Sequence, residues 1–158
     1  MGLNVTVYTR LEFVCLPGPD YELQDDHIQI RENPDFPGRA AGLYLNGIYD
    51  TGGGAAHGFH AGSYGGYNRW RDVLDQARED LPSYAFEELI EFADNEGTIG
   101  PSISLKLRDD FVRYAEQVKA KVTEIVKYED DRAYWLKLYE HWTKAFTLAA
   151  DGGCVIFR

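Results

Sequence analysis

The stretch His60-Ala-Gly-Ser-Tyr-Gly-Gly-Tyr-Asn-Arg-Trp-Arg71 holds the residues best suited to chemistry. Gly65 and Gly66 fall where a helix is expected to begin, and an interior glycine costs a helix up to about 1 kcal/mol relative to alanine. That cost makes sense where something must approach the backbone closely. The opening turn of a helix has N–H groups without intrahelical acceptors and a partial positive charge. Ser63, Gly65 and Gly66 therefore form a candidate anion seat. Arg69 or Arg71 can add a fork-shaped donor, Tyr64 or Tyr67 a stacking face, and His60 and Asn68 further polar contacts. The plainer account is a capped helix start, with Ser63 as the cap and the glycines packed tightly against a sheet. Both accounts stay open at this level.

Asp94-Asn95-Glu96-Gly97 is a second constellation. Two acids at this spacing can hold a divalent cation or work as an acid–base pair. Two ligands are few for a metal, and an acidic turn ahead of a proline-started helix is common. A plain acidic turn is the favoured account; in the binding reading Asp94 and Asn95 read the hydroxyls or base edge of a ligand, with Asp94, Asn95 and Glu96 as a wall opposite the anion seat. Ala61-Gly-Ser-Tyr-Gly65 also resembles a relaxed nucleophile elbow, with His57, His60 and Asp94 as its partners. An elbow needs a strand directly ahead, and none is expected after the preceding glycine run. His57-Gly-Phe-His60 without a nearby cysteine is weak evidence for zinc. His27 and His141 look incidental. No catalytic residue, metal site or cofactor is therefore expected, and binding is favoured over catalysis.

The elements that must position these groups follow from pattern. Val5, Val7, Leu11 and Phe13 share one parity, which suits an opening strand. Ile28-Gln29-Ile30 reads as a second strand. Leu43-Tyr44-Leu45 and Ile48-Tyr49 around Asn46-Gly47 read as a hairpin. Thr51-Gly-Gly-Gly-Ala-Ala56 is expected to be a mobile loop beside the site. A helix begins near Ser63, with Tyr67, Trp70, Val73, Leu74 and Ala77 as its apolar stripe. Phe86 to Phe92 fits a short strand or a helical turn. Gly100-Pro101 opens a second helix, with the stripe Leu107, Phe111, Tyr114, Val118, Val122 and Ile125. Asp130 or Asp131 is expected to cap a third, with Trp135, Leu136, Tyr139, Trp142 and Phe146 along its buried face. After Gly152, Cys154–Phe157 is expected to pair with the N-terminal sheet. This order predicts one α+β domain spanning 1–158, a small antiparallel sheet packed by about three helices.

Composition bounds the rest. A chain of 158 residues with 44% hydrophobic and 27% charged residues can bury a substantial core. Its 11 Tyr, 8 Phe and 3 Trp serve mostly that core. A net charge of −10 argues against broad contact with nucleic-acid phosphates. Cys15 and Cys154 sit in apolar settings and are expected as buried thiols. Met1–Phe13 contains Arg10 and Glu12 and no long apolar run, so no secretory signal is expected. Met1-Gly2 with Thr6 satisfies the loose myristoylation pattern, which chance often meets. No stretch has transmembrane length. A cytoplasmic protein with no membrane or direct nucleic-acid contact is expected.

His60–Arg71, Asp94-Asn-Glu-Gly-Thr-Ile-Gly-Pro101 and Ala150-Asp-Gly-Gly-Cys-Val-Ile-Phe157 together resemble blocks of a family of small uncharacterised proteins from bacteria and their tailed phages. Met1-Gly-Leu-Asn-Val and Asn33-Pro-Asp-Phe-Pro-Gly-Arg39 fit the same pattern, so the resemblance spans nearly the whole chain. It implies a context of phage counter-defence, in which small acidic proteins include sponges for nucleotide immune signals. The expected partner is thus a small phosphorylated or nucleotide-like ligand. The alternatives are an acidic protein-interaction inhibitor, partly mimicking DNA, that binds a host defence protein, and a small hydrolase using Ser63 or His60 with Asp94. Charge reversal at Asp109, Asp110, Asp130 and Asp131 would test the inhibitor. A homo-oligomer fits either binding role.

Overall fold

Alternation of apolar side chains along two strands organises the molecule. A computed structural model describes residues 2–92 and 96–158. Its elements are β1 (Asn4–Tyr8), β2 (Glu12–Cys15), β3 (His27–Gln29), β4 (Ile48–Asp50), β5 (His57–His60), α1 (Tyr64–Ala77), α2 (Glu87–Ile90), β6 (Gly97–Ile99), α3 (Pro101–Arg113), α4 (Ala115–Ile125), α5 (Glu129–Ala149) and β7 (Cys154–Phe157). One antiparallel sheet has the order β5-β1-β7-β6 and a smaller one the order β2-β4-β3. Val5 and Val7 of β1 and Val155 and Phe157 of β7 point into a core built with the helices. Tyr8, Cys154 and Ile156 point the other way, onto Ile28, Ile30 and Tyr49 of the smaller sheet. Strand residues alternate between faces, so the four-stranded sheet is a middle layer, with helices above and the second sheet below. All four residues of β7 are buried as a result.

The fold is α+β, and the C-terminal strand pairs with β1 as expected, Val7 opposite Val155. Several local expectations change. The opening strand is two strands in different sheets, separated at Arg10, which adopts a φ of 50°. Asn46-Gly47 does not close a hairpin. Ile30 exchanges hydrogen bonds with Asn46 and Gly47, so β3 takes the edge of β4 that Leu43–Leu45 was expected to occupy. Phe86–Phe92 contains the short helix α2, and Gly97–Ile99 forms an edge strand paired with β7. The long second helix is two, broken at Tyr114, where φ is −101° and ψ 10°. Tyr128 rather than Asp130 or Asp131 precedes α5, and both acids lie in its first turn. Five helices thus stand among the described residues where about three were expected.

Candidate functional site

The turn into α1 is built from a strand. β5 ends at His60, Ala61 is buried, and Gly62 takes a φ of +103°, a conformation that side chains with a β-carbon rarely adopt. Ser63 then caps the helix. Its Oγ accepts the Gly66 N–H at 3.0 Å and its carbonyl accepts the Tyr67 N–H at 2.8 Å. Among the described residues no protein acceptor takes the N–H of Tyr64 or of Gly65. A β-carbon at Gly65 would meet no atom within 4 Å, so this turn is open to solvent. No acid stands in the first turn of α1, whereas α2, α4 and α5 all carry one there. Tyr64 is 36% exposed, Arg69 is exposed, and the Tyr134 hydroxyl of α5 lies 3.4 Å from where a Gly62 β-carbon would project.

Other members of the sequence cluster turn inward. Tyr67 is 2% exposed, and its hydroxyl donates to the Phe92 carbonyl at 2.9 Å. Burial pushes its phenol well above the ordinary range. Arg71 is buried, lies 4.9 Å above the Tyr67 ring, and donates to the Ile90 carbonyl and to Asn68 Oδ1. These residues fasten α1 to α2. Their aromatic and guanidinium groups face protein, whereas Tyr64, Gly65 and Arg69 are exposed at the turn and the Gly66 N–H is taken by the cap.

The proposed opposite wall is only partly described, because Asp94 and Asn95 lie outside the described residues. Glu96 is exposed, and its carbonyl accepts Asn33 Nδ2 at 2.9 Å. It precedes β6, whereas Ser63 follows β5, at the other edge of the same sheet. Three strand spacings, about 14 Å, separate those edges. The Thr51–Ala56 loop enters β5 at His57, the end remote from Ser63, so it does not lie over the α1 turn.

Two further sequence ideas meet the strand geometry. A strand does precede Ser63, contrary to expectation, yet Ser63 has an ordinary φ of −62° and its Oγ is engaged in the cap. The strain and free hydroxyl of a nucleophile elbow are missing. His57 and His60 are three apart on β5, which directs them to opposite faces and prevents a shared ion. His60 Nδ1 lies 3.1 Å from Asn4 Oδ1. His57 Nε2 instead shares a hydrogen bond with His141 Nδ1 at 3.3 Å, beside the Phe59 ring. That pairing of distant histidines left no mark in sequence spacing.

The acids proposed for a protein partner divide as well. Asp109 pairs with Arg108 at 2.8 Å. Asp110 is buried and takes the Phe86 N–H at 2.9 Å and Lys106 Nζ at 2.7 Å, so it holds α2 to α3. Only Asp130 and Asp131 of the four are exposed and without an ion pair among the described residues. A groove of about 430 Å³ runs between α3, α4 and α5, past Phe111, Lys119, Tyr139 and Lys144, and contains none of the candidate ligand residues. Among the described residues no helix is long and apolar enough to cross a membrane.

No protein-family model, curated protein or solved structure matches the chain.

Proposed function

We propose that this chain is a binding protein that captures a small phosphorylated or nucleotide-like ligand at the opening turn of α1. One observation carries the reading: among the described residues, that turn presents two N–H groups without a protein acceptor at an exposed glycine, with no acid in the helix's first turn, on a chain of net charge −10. Phosphate oxygens are the natural acceptors for such N–H groups at the positive end of a helix dipole. Arg69 supplies a charged donor from the next turn, and Tyr64 an exposed ring for a base or sugar. In the phage context that the resemblance implies, such a protein would act as a sponge for a nucleotide signal in the host cytoplasm. Catalysis has weaker support, because the Ser63 hydroxyl serves the helix cap.

Gly65→Glu separates ligand binding from helix capping. The added side chain has room, improves helix propensity and places a negative charge where the dipole favours it. The variant is expected to be as stable as the wild type or up to about 1 kcal/mol more so. Inorganic phosphate and a panel of linear and cyclic nucleotides would be screened by thermal shift. A ligand at a hundred times its Kd should stabilise the wild type by about 2.7 kcal/mol and leave Gly65→Glu unshifted. A flat response across the panel, or an equal shift in both proteins, rejects the site.

A further inference from the structure

The smaller sheet brings together a second set of groups, independent of the α1 turn. β4 is its central strand, and Asp50 stands directly opposite Glu12 of β2 on one side and His27 of β3 on the other. Residues directly opposite in an antiparallel sheet point to one face, so these three side chains emerge side by side. Asp26 precedes His27 and approaches the same point. One ligand atom from each of Asp26, His27 and Asp50 lies within 4.8 Å of the others.

A half-buried imidazole stands among these carboxylates. Only 10% of the His27 side chain is exposed. Its Nδ1 is engaged by the Tyr21 hydroxyl at 2.9 Å. Its Nε2 has no hydrogen bond among the described residues, and Asp26 Oδ1 stands 3.8 Å away, beyond hydrogen-bond reach. That nitrogen is turned toward the Asp26 carboxylate and keeps access to solvent. Two carboxylates and a ring nitrogen thus converge within 4.8 Å of one another, close enough for one ion to be bonded by all three.

The surroundings hold the set in place. Asp50 Oδ1 accepts the Gly52 N–H at 2.7 Å. The Asp26 carbonyl accepts both the N–H and the hydroxyl of Thr51, at 2.9 and 2.8 Å, and Thr51 Oγ1 accepts the Gly54 N–H at 3.0 Å. Gly52, Gly53 and Gly54 all have positive φ, so the loop that fixes both aspartates requires glycine. Ligating carboxylates and imidazoles are commonly oriented by outer hydrogen bonds of this kind.

We propose that Asp26, His27 and Asp50 bind one divalent transition-metal cation of the zinc class. An imidazole beside two carboxylates suits a borderline ion, whereas magnesium and calcium prefer oxygen donors throughout. Zinc bonds of about 2.0–2.2 Å put tetrahedral ligand atoms about 3.3 Å apart, so the side chains must close by up to roughly 1.5 Å. Asp26, 59% exposed, is free to make that rotation. Three protein ligands leave a position for water or for Glu12, which is exposed on the same face.

The test uses the full chain after treatment with a chelator. Zinc chloride, manganese chloride and magnesium chloride are titrated separately by calorimetry, and cobalt chloride by visible absorption. One zinc ion per chain is expected to bind at micromolar or lower Kd, with cobalt giving ligand-field bands and magnesium giving no heat. His27→Gln, Asp50→Asn and Asp26→Asn should each weaken zinc by about tenfold or more. Asp50→Asn keeps an oxygen for Gly52, and Asp26→Asn alters an exposed side chain, so these two keep the test valid even if His27→Gln misfolds. His57→Gln and His60→Gln should bind as the wild type does. Absence of zinc binding overturns the proposal. So does binding that Asp26→Asn and Asp50→Asn leave intact, or binding abolished by His57→Gln, which would place the ion at the His57–His141 pair.

Discussion

His57 sets a pH response that a single side chain can test. Partial burial first, then the charges of Lys144 and His141, hold its imidazole below the ordinary value. The folded state therefore disfavours the imidazolium relative to the unfolded chain, where histidine titrates near about 6.5. Stability from this residue is whole above that pH and declines as the pH falls through the lower folded value, after which the loss levels off. His57→Phe keeps a ring against Phe59 and His141 and removes the titration. Urea unfolding at about pH 7 and about pH 5 is expected to show a loss in the wild type and a smaller one in the variant. Equal losses would refute this account. The same scale shows why the site was only partly legible. Tyr67 already shared a helical stripe with Trp70 and Leu74, which marked it as core. Arg71, four residues on, is carried by that spacing over the Tyr67 ring. Its chemistry suits phosphate or carbonyl equally, so residue type alone could not separate the two uses.

Between elements, the most specific fastening is that of α1 to α5. Trp70 Nε1 donates to the Trp135 carbonyl and Trp135 Nε1 to the Trp70 carbonyl, both at 3.2 Å, with the indoles stacked 4.9 Å apart. Each replacement, Trp70→Phe or Trp135→Phe, removes one donor and part of a stacked ring, at an expected cost of about 1–3 kcal/mol. Because the contact is reciprocal, the double variant should fall short of the sum by about 1 kcal/mol in urea unfolding. Additivity within about 0.3 kcal/mol would mean that the two indoles act independently. Both tryptophans were visible as stripe residues, because helical period is local and α1 and α5 run long. The strands were harder to see. His57-Gly-Phe-His60 and Gly97-Thr-Ile99 are three or four residues long and offer no alternation to detect. Their pairing depends on β1 and β7, which lie far off in sequence. The opposition of His27 and Asp50 is equally a product of register, so His27 looked incidental until β3 and β4 were aligned.

For the molecule as a whole, the middle position of the four-stranded sheet has one sequence trace, the unbroken apolar run Cys154-Val155-Ile156-Phe157. Such a run needs cover on both faces of its sheet, whereas a strand packed only by helices would alternate. The helices supply one cover and β3 and β4 the other. Cys154 lies between the two sheets, fully buried, and burial pushes its thiol up to about 12. Cys15, on edge strand β2, is half-buried. A thiol reagent at about pH 8 would therefore find almost no Cys154 thiolate unless the layers part. In Cys15→Ser protein, labelling of Cys154 should be slow and should accelerate with urea along the slope of equilibrium unfolding. That outcome means that the second sheet leaves only when the helical core also opens. Rapid labelling with little dependence on urea would show the smaller sheet detaching on its own. The Asp26–His27–Asp50 set would then ride on a separately unfolding layer, and zinc at that set should slow the labelling of Cys154 by the factor 1 + [Zn]/Kd.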